Sequence, residues 1–311
     1  MAQNNSGEKK EEKKITIRAA QGFTILAAFF WGTSFVAVEL GLTLINPFWF
    51  VQFRFLVASL GALVVVLVLK KRIENKLLFG HWVWLMGLFN ALGFIGQFVG
   101  QTMTNATKTA LLVNMSLVTV AILSTLLLGE KFSKLKGSAV ILSIIGVFLL
   151  TTHGDLSQLA SGEFIGDMFA LGGGFAWAFY IVTNKKVVIN PKIDVVPLTA
   201  CVMFTTSVIM VPFTIIFGGI NPGVLNFGFE GVPYIIYLGI FCNVIPFILW
   251  TYGLKRLPAT SSSVILLIEV VIAAILAMLI LQEYLTLISI LGGCLIVIAI
   301  FIISYESKNN H

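Results

Sequence analysis

The chain has 311 residues, of which 58% are hydrophobic and only 11% charged, with a formal net charge of +6. That balance excludes a soluble domain and defines a polytopic membrane protein. The excess positive charge does not point to nucleic acid, because the Lys and Arg residues stand in short clusters between apolar runs.

Residues 1–18, rich in Lys and Glu, read as a disordered cytoplasmic tail. The first apolar run has span length and no small-residue cleavage site, so it is expected to remain as a signal anchor. Ten apolar runs are counted, at about 20–41, 48–69, 80–100, 108–128, 135–152, 164–184, 195–217, 232–253, 259–281 and 284–304. In lipid a single segment satisfies its own backbone only as a helix, so the predicted fold class is all-α, with ten transmembrane helices and short loops. Lys and Arg fall in alternate loops: Lys70, Lys71, Arg72 and Lys76; Lys131, Lys134 and Lys136; Lys185, Lys186 and Lys192; Lys255 and Arg256. The opposite loops hold only Lys108, read as an interfacial anchor. The positive-inside rule places both termini in the cytoplasm of a multi-pass cell-membrane protein.

Along these runs, polar and aromatic residues share stripes. Trp31 and Ser34 lie in the first, which ends near Glu39. Arg54 stands about seven residues into the second, and its long stem is expected to snorkel toward an ion pair with Glu39. Asn90, Gln97 and Gln101, spaced by seven and four, share a face of the third with Phe94. The sixth carries Trp177, Tyr180 and Asn184, and the eighth Asn243, Phe247 and Trp250. Amides beside indoles suit an amphipathic organic solute, giving hydrogen-bond fixing points and flat apolar walls. The same pattern also serves interhelical packing.

Glu269 is the one ionisable residue of the ninth run before its far end, eleven positions past Pro258. At ~1.5 Å per residue it sits ~16 Å into a hydrocarbon layer ~30 Å thick. A carboxylate there costs roughly 2.5–3.5 kcal/mol on insertion scales and needs a partner, a cavity or a proton. Two functional readings stay open, proton exchange or pairing with a cationic group of a solute; the rival is a hydrogen bond to Ser or Asn neighbours within the bundle.

The halves repeat. A shift of 153 residues pairs Asn90 with Asn243, Phe94 with Phe247, Ala106-Thr107 with Ala259-Thr260 and Glu130 with Glu283. Roughly a quarter of the positions from Leu85 to Phe148 match their counterparts. Shifts of 146 and 150 pair Trp31 with Trp177 and Pro47 with Pro197. Five spans is an odd number, so the second half enters from the opposite side: an inverted repeat of units 19–153 and 163–305, with 306–311 a cytoplasmic tail. Glu269 meets Ser116, Leu267 meets Asn114, Trp250 meets Gln97 and Arg54 meets Phe204. These mismatches fit one central asymmetric site. The expected substrate-binding set is Trp31, Ser34, Asn90, Gln97, Asn114, Trp177, Tyr180, Asn243, Trp250 and Glu269, with Glu39 and Arg54 as an ion pair or gate.

Cys201, Cys242 and Cys294 lie inside apolar runs and read as small apolar filler. Gly96-x-x-x-Gly100, Gly172-Gly173-Gly174 and Gly292-Gly293 read as close helix approaches. No Walker motif, metal-ligand cluster or nucleophile–base set occurs, so no enzyme, cofactor or metal is expected.

Trp31-Gly32-x-x-Phe35, Pro47 followed by Arg54-Phe55, and Gly129-Glu130-Lys131 closing the fourth run together resemble the EamA-type members of the drug/metabolite transporter superfamily. The resemblance covers about residues 20–304. It implies a central cavity lined by helices 1, 3, 4, 6, 8 and 9, with 5 and 10 peripheral. It further implies export of amino acids or related metabolites, or exchange of sugar phosphates or nucleotide sugars. Where the family often has Glu-Pro, Val270 follows Glu269, so no proline breaks the ninth helix; the second half also closes that helix with Gln282-Glu283 instead of Gly-Glu. The expected function is an alternating-access carrier, with a bilayer and a small-molecule solute as partners and no nucleic acid. With only Arg54 and Lys108 as candidate cavity cations, amino acids or neutral organics are favoured over phosphorylated solutes. A non-transporting sensor or scaffold is the alternative, and a homodimer is left open.

Overall fold

The computed structural model describes residues 15–103, 106–160, 164–220, 228–280, 282 and 285–309. Among them are ten helices long and apolar enough to cross a membrane, and no strand. We number them α1 (Ile17–Leu42), α2 (Pro47–Val68), α3 (His81–Met103), α4 (Ala106–Asn114 and Ser116–Leu128) and α5 (Lys134–Thr152). The second half holds α6 (Phe164–Val188), α7 (Val195–Phe213, with a π-helical turn Thr214–Gly218), α8, α9 (Ala259–Leu266 and Ile268–Ile280) and α10 (Leu287–Asn309). Helix α8 runs Gly228–Gly239, a π-helical turn Ile240–Val244, then Ile245–Arg256.

Local chemistry sets the ends. Asn46 caps α2 by accepting from the Phe48 N–H, with Pro47 in the first turn, where its missing N–H costs nothing. Ser133 and Asp194 cap α5 and α7 in the same way. Gly129, at φ +65°, turns the chain out of α4. Gln21 Nε2 donates to the Ser304 carbonyl, so the start of α1 and the close of α10 share one end of the bundle, here the terminal end.

The main helix pairs recur when the halves are exchanged. Helix α3 lies on α6 as α8 lies on α1; α4 meets α6 as α9 meets α1; α3 lies on α7 as α8 lies on α2. The pairs α2–α7, α4–α9 and α5–α10 map onto themselves. Both α4 and α9 are interrupted mid-span, at Met115 and Leu267, positions that the 153-residue shift aligns to within one. The α9 interruption forms without a proline. There the Leu267 and Val270 N–H groups donate three residues back, to Val264 and Leu267. The outer face is apolar, with Val68, Leu126 and Phe301 all above 70% exposed, a surface that lipid covers.

Helices α3 and α6 approach backbone to backbone. A Cβ on Gly173 would come within 2.9 Å of the Gly93 carbonyl and 3.0 Å of the Gln97 nitrogen, atoms that cannot give way. A Cβ on Gly172, one residue earlier, meets nothing within 4 Å. Gly173→Ala is therefore expected to lower stability by about 1–3 kcal/mol. Gly172→Ala is expected to be neutral or stabilising by up to roughly 1 kcal/mol through helix propensity. Unfolding midpoints of the two purified variants in detergent, measured side by side, check the contrast.

Candidate functional site

Two groups of rings fill the middle of the bundle. In the first, Trp31 of α1 meets Phe247 of α8 edge-on at 5.2 Å and Trp250 at 6.0 Å, and Tyr180 of α6 lies 6.0 and 5.8 Å from the same two rings. Both indoles are pinned: Trp31 Nε1 donates to the Cys242 carbonyl and Trp250 Nε1 to Ser262 Oγ, each at 2.9 Å. In the second group Phe94 of α3 stands edge-on to Trp177 of α6 at 5.2 Å and to Phe55 of α2 at 5.0 Å. The Arg54 guanidinium lies 5.0 Å over the Phe94 ring and donates to Asn243 Oδ1 at 2.6 Å. Asn243 follows Cys242 in the π-helical turn of α8, so this one turn ties the two groups together. A π turn inserts an extra residue and re-aims side chains, and such turns recur at functional sites.

Glu269 stands in the first turn of the second piece of α9, where the helix dipole favours a carboxylate. A Cβ on Gly32 of α1 would come within 2.9 Å of its carbonyl, so the two backbones cross there. The Glu269 side chain is partly exposed and makes no hydrogen bond or ion pair with the described residues. Further along the same α1–α9 seam, away from the terminal end, lies a cavity of about 420 Å³ between α1, α8 and α9. Thr33, Tyr237, Leu276 and Ile280 are among its lining residues, and the Thr33 and Tyr237 hydroxyls are 2.6 Å apart. Leu276 and Ile280 follow Glu269 at spacings of seven and four, on one face of α9.

At the terminal end polar contacts join α4 to α9 and α6 to the α8–α9 turn. The Glu130 carboxylate, just past α4, accepts from the Ala259 N–H and from Thr260 Oγ1 at the start of α9, and Ser124 Oγ lies 2.8 Å from Thr260 Oγ1. Lys185 Nζ donates to the Leu254 and Leu257 carbonyls at 2.8 Å each, fixing the α8–α9 turn from the α6 side.

The predicted residues divide. Trp31, Ser34, Gln97, Asn114, Trp177 and Glu269 are partly exposed; Asn90, Tyr180, Asn243 and Trp250 are buried. Asn90 donates to Thr206 Oγ1 of α7, and so joins two helices instead of facing a cavity. Ser34 Oγ returns to the Trp31 carbonyl of its own helix. Asn114 lies beside Leu267, its repeat counterpart, at a cleft of about 10 Å³ lined by α4, α5 and α9. The expected Glu39–Arg54 ion pair is not formed: Glu39 is exposed, while Arg54 turns inward to Asn243 and Phe94. Its stem reaches a buried amide and a ring face, so it does not snorkel. The side chains of Gln101 and Lys108, and all of Glu283, lie outside the described residues. The Glu130 cap, the Lys185 contacts and the Thr33–Tyr237 pair are absent from the sequence reading; the shared Ala-Thr and Glu of the two halves were the signal for the first.

The EamA-like transporter family matches residues 19–152 and 164–305. The chain belongs to that family. Its members are transporters, not enzymes, and this EamA-type chain is accordingly a multi-pass membrane protein of the drug/metabolite transporter superfamily. An "Uncharacterized transporter" of Archaeoglobus fulgidus is 31% identical over 280 residues, covering 89% of this chain and 94% of that protein. The "Uncharacterized transporter YoaV" of Bacillus subtilis is 22% identical over 278 residues, covering 89% and 94%. The "WAT1-related protein At3g02690, chloroplastic" of Arabidopsis thaliana is 23% identical over 300 residues, covering 91% and 68%. One crystal structure superposes with a TM-score of 0.78 at 17% identity, over 94% of this chain and 99% of that one, a likeness of fold.

In this EamA-like transporter Glu130 joins α4 to α9. Glu130→Ala is expected to lower stability by about 0.5–2 kcal/mol, the usual cost of an N-cap. Glu130→Gln, which keeps an accepting oxygen, is expected to cost less. Thermal unfolding of the two variants in detergent checks the order.

Proposed function

We propose that this chain is a secondary carrier of exporter type that moves small organic metabolites, such as amino acids, across the cell membrane by alternating access. The single observation that carries the reading is Glu269: a carboxylate at membrane depth, at the interruption of α9, against α1, and without a partner among the described residues. A charge held this way at a helix break is where a carrier exchanges an ion or takes a solute. In our reading residues 19–153 and 163–305 are the inverted units, and both termini are cytoplasmic. The Glu130 contact then closes the cytoplasmic side, and the cavity between α1, α8 and α9 is a vestibule on the outer side. Trp31 and Trp177 offer their partly exposed ring faces to the solute, and Glu269 exchanges the coupling proton.

The reading is tested in proteoliposomes. Counterflow of radiolabelled amino acids is expected to saturate with concentration; a sensor or scaffold gives none. Glu269→Gln is expected to keep counterflow, in which no net charge or proton moves. It is also expected to lose solute accumulation driven by an imposed pH gradient, with the pH dependence of the rate flattened. Gradient-driven accumulation equal to the wild type in Glu269→Gln removes the proton role.

A further inference from the structure

The cavity of about 420 Å³ between α1, α8 and α9 lies behind α1 as seen from the ring groups. Thr33, Val36, Ala37 and Leu40 of α1 line it. At ~100° per residue they centre on the side of the helix opposite Trp31, which meets Phe247 and Trp250. Phe29, four residues before Thr33 on the same face, is 47% exposed, and Ile280 on the α9 wall is 54% exposed. The cavity therefore opens toward lipid, and its volume lies in the range of small-molecule sites, roughly 300–1,000 Å³. The other half does not repeat it. Under the shifts of 146 and 153 residues, Thr33 corresponds to Phe179, and Cys242, whose thiol stands against Thr33, corresponds to Phe89. Those two rings stack at 5.2 Å. One half fills the place with rings, and the other leaves a cavity floored by hydroxyls.

Counting protons gives the chemistry of that floor. Thr33 Oγ1 carries one proton and donates it to the Phe30 carbonyl at 2.7 Å. The 2.6 Å contact with Tyr237 Oη then uses the tyrosine proton. Both protons are spent within the protein, and the Tyr237 oxygen is left as an acceptor. The Cys242 thiol beside the pair is only a weak donor. Tyr234, one turn before Tyr237, is the other polar side chain of the lining. Thr33 stands nine residues before Leu42, where α1 ends, so the pair is ~14 Å inside at ~1.5 Å per residue. A charged head is expensive at that depth. A carboxylate or phosphate would also set acceptor against acceptor. A neutral hydroxyl meets neither obstacle. We propose that the cavity binds a neutral, hydroxyl-bearing long-chain lipid of the bilayer, its chain between α8 and α9 and its O–H donating to Tyr237. An ordinary acyl chain fills the same space and leaves that oxygen without a donor. The inference goes beyond the carrier reading and does not depend on it.

The test uses the full-length protein in lipid nanodiscs. Photoreactive probes of equal chain length, hexadecan-1-ol, hexadecanoic acid and hexadecane, each carry a mid-chain diazirine, and peptide mass spectrometry locates the label. The alcohol is expected to label Val36, Ala37, Leu276 and Ile280 in preference to the lipid-facing Val68 and Phe301. Unlabelled hexadecan-1-ol is expected to suppress that labelling at a concentration roughly three- to tenfold below that needed with hexadecane, the size of one net hydrogen bond. Tyr237→Phe, which removes the oxygen and keeps the ring, is expected to abolish the difference while labelling persists. Thr33→Phe, which installs the ring that the other half carries, is expected to remove cavity labelling by alcohol and alkane alike. Tyr237→Phe decides the matter if Thr33→Phe does not fold. Equal suppression by alcohol and alkane in the wild type, or a preference for the acid, overturns the site. An alcohol advantage that survives in Tyr237→Phe overturns it as well, and so does labelling spread evenly over the lipid-facing helices.

Discussion

A hydrocarbon layer donates and accepts no hydrogen bonds, so every polar atom placed within it must find its partner inside the protein. Most of the interior obeys. The indole of Trp31 is answered by a backbone carbonyl that the π turn of α8 frees, and that of Trp250 by Ser262 on the next helix. Gln52 reaches Ser207, Asn90 reaches Thr206 and Asn184 reaches Thr251, each joining a pair of helices. Even so, the oxygens of Gln52, Asn90 and Asn184 are left without a partner, as are Arg54 Nε and Asn243 Nδ2, so what sets Arg54 and Glu269 apart is charge without an opposite charge among the described residues. Stability alone would favour apolar residues at these places, since a buried ion with incomplete company is weak support for a fold.

The same constraint explains the two ways in which helices meet. In one, small residues let backbones touch, as at Gly96 with Gly173 and Gly146 with Gly292. These contacts are dry and carry dispersion energy that falls away steeply with a small gap. The crossing of α5 with α10 maps onto itself when the halves are exchanged, and it is a frame that both halves share. At the terminal end α4 meets α9 instead through hydroxyls, a carboxylate and a helix start. Such contacts form or break at modest cost when water enters, because water substitutes for each partner.

Much of the fold is legible from the chain because membrane helices announce themselves by length and hydropathy. Nine of the ten runs fall within three residues of the observed starts; the eighth begins four residues earlier, at Gly228, and continues to Arg256. Depth along a helix is equally legible, which is why Glu269 stands out. Direction around a helix is not. Asn90 and Phe94 share a stripe of α3, yet Asn90 turns to α7 while Phe94 meets Arg54 and Trp177. In a bundle buried on several sides, a polar stripe does not say which neighbour it faces. Arg54 misled for a related reason: snorkelling assumes a free path to the interface, and the π turn that presents Asn243 has no sequence signature. The interruption of α9 was hidden as well, because its mark elsewhere is a proline and here the chain shifts its hydrogen bonds without one.

The inverted repeat sets a condition on how such a chain works as a carrier. Two halves with the same internal packing have two mirrored arrangements of nearly equal energy, and the population between them moves only by differential contacts. Elements that match between halves contribute equally to both arrangements and leave the balance unchanged. The elements that differ bias it: Glu269 against Ser116, Arg54 against Phe204 and Leu267 against Asn114. A shift from one state in a hundred to ninety-nine requires roughly 5.5 kcal/mol of differential interaction, more than one exposed latch supplies. In a carrier, differential contacts of that size have to come from the solute together with the unmatched residues. The unmatched residues are therefore where an inverted repeat can favour one of its two arrangements over the other.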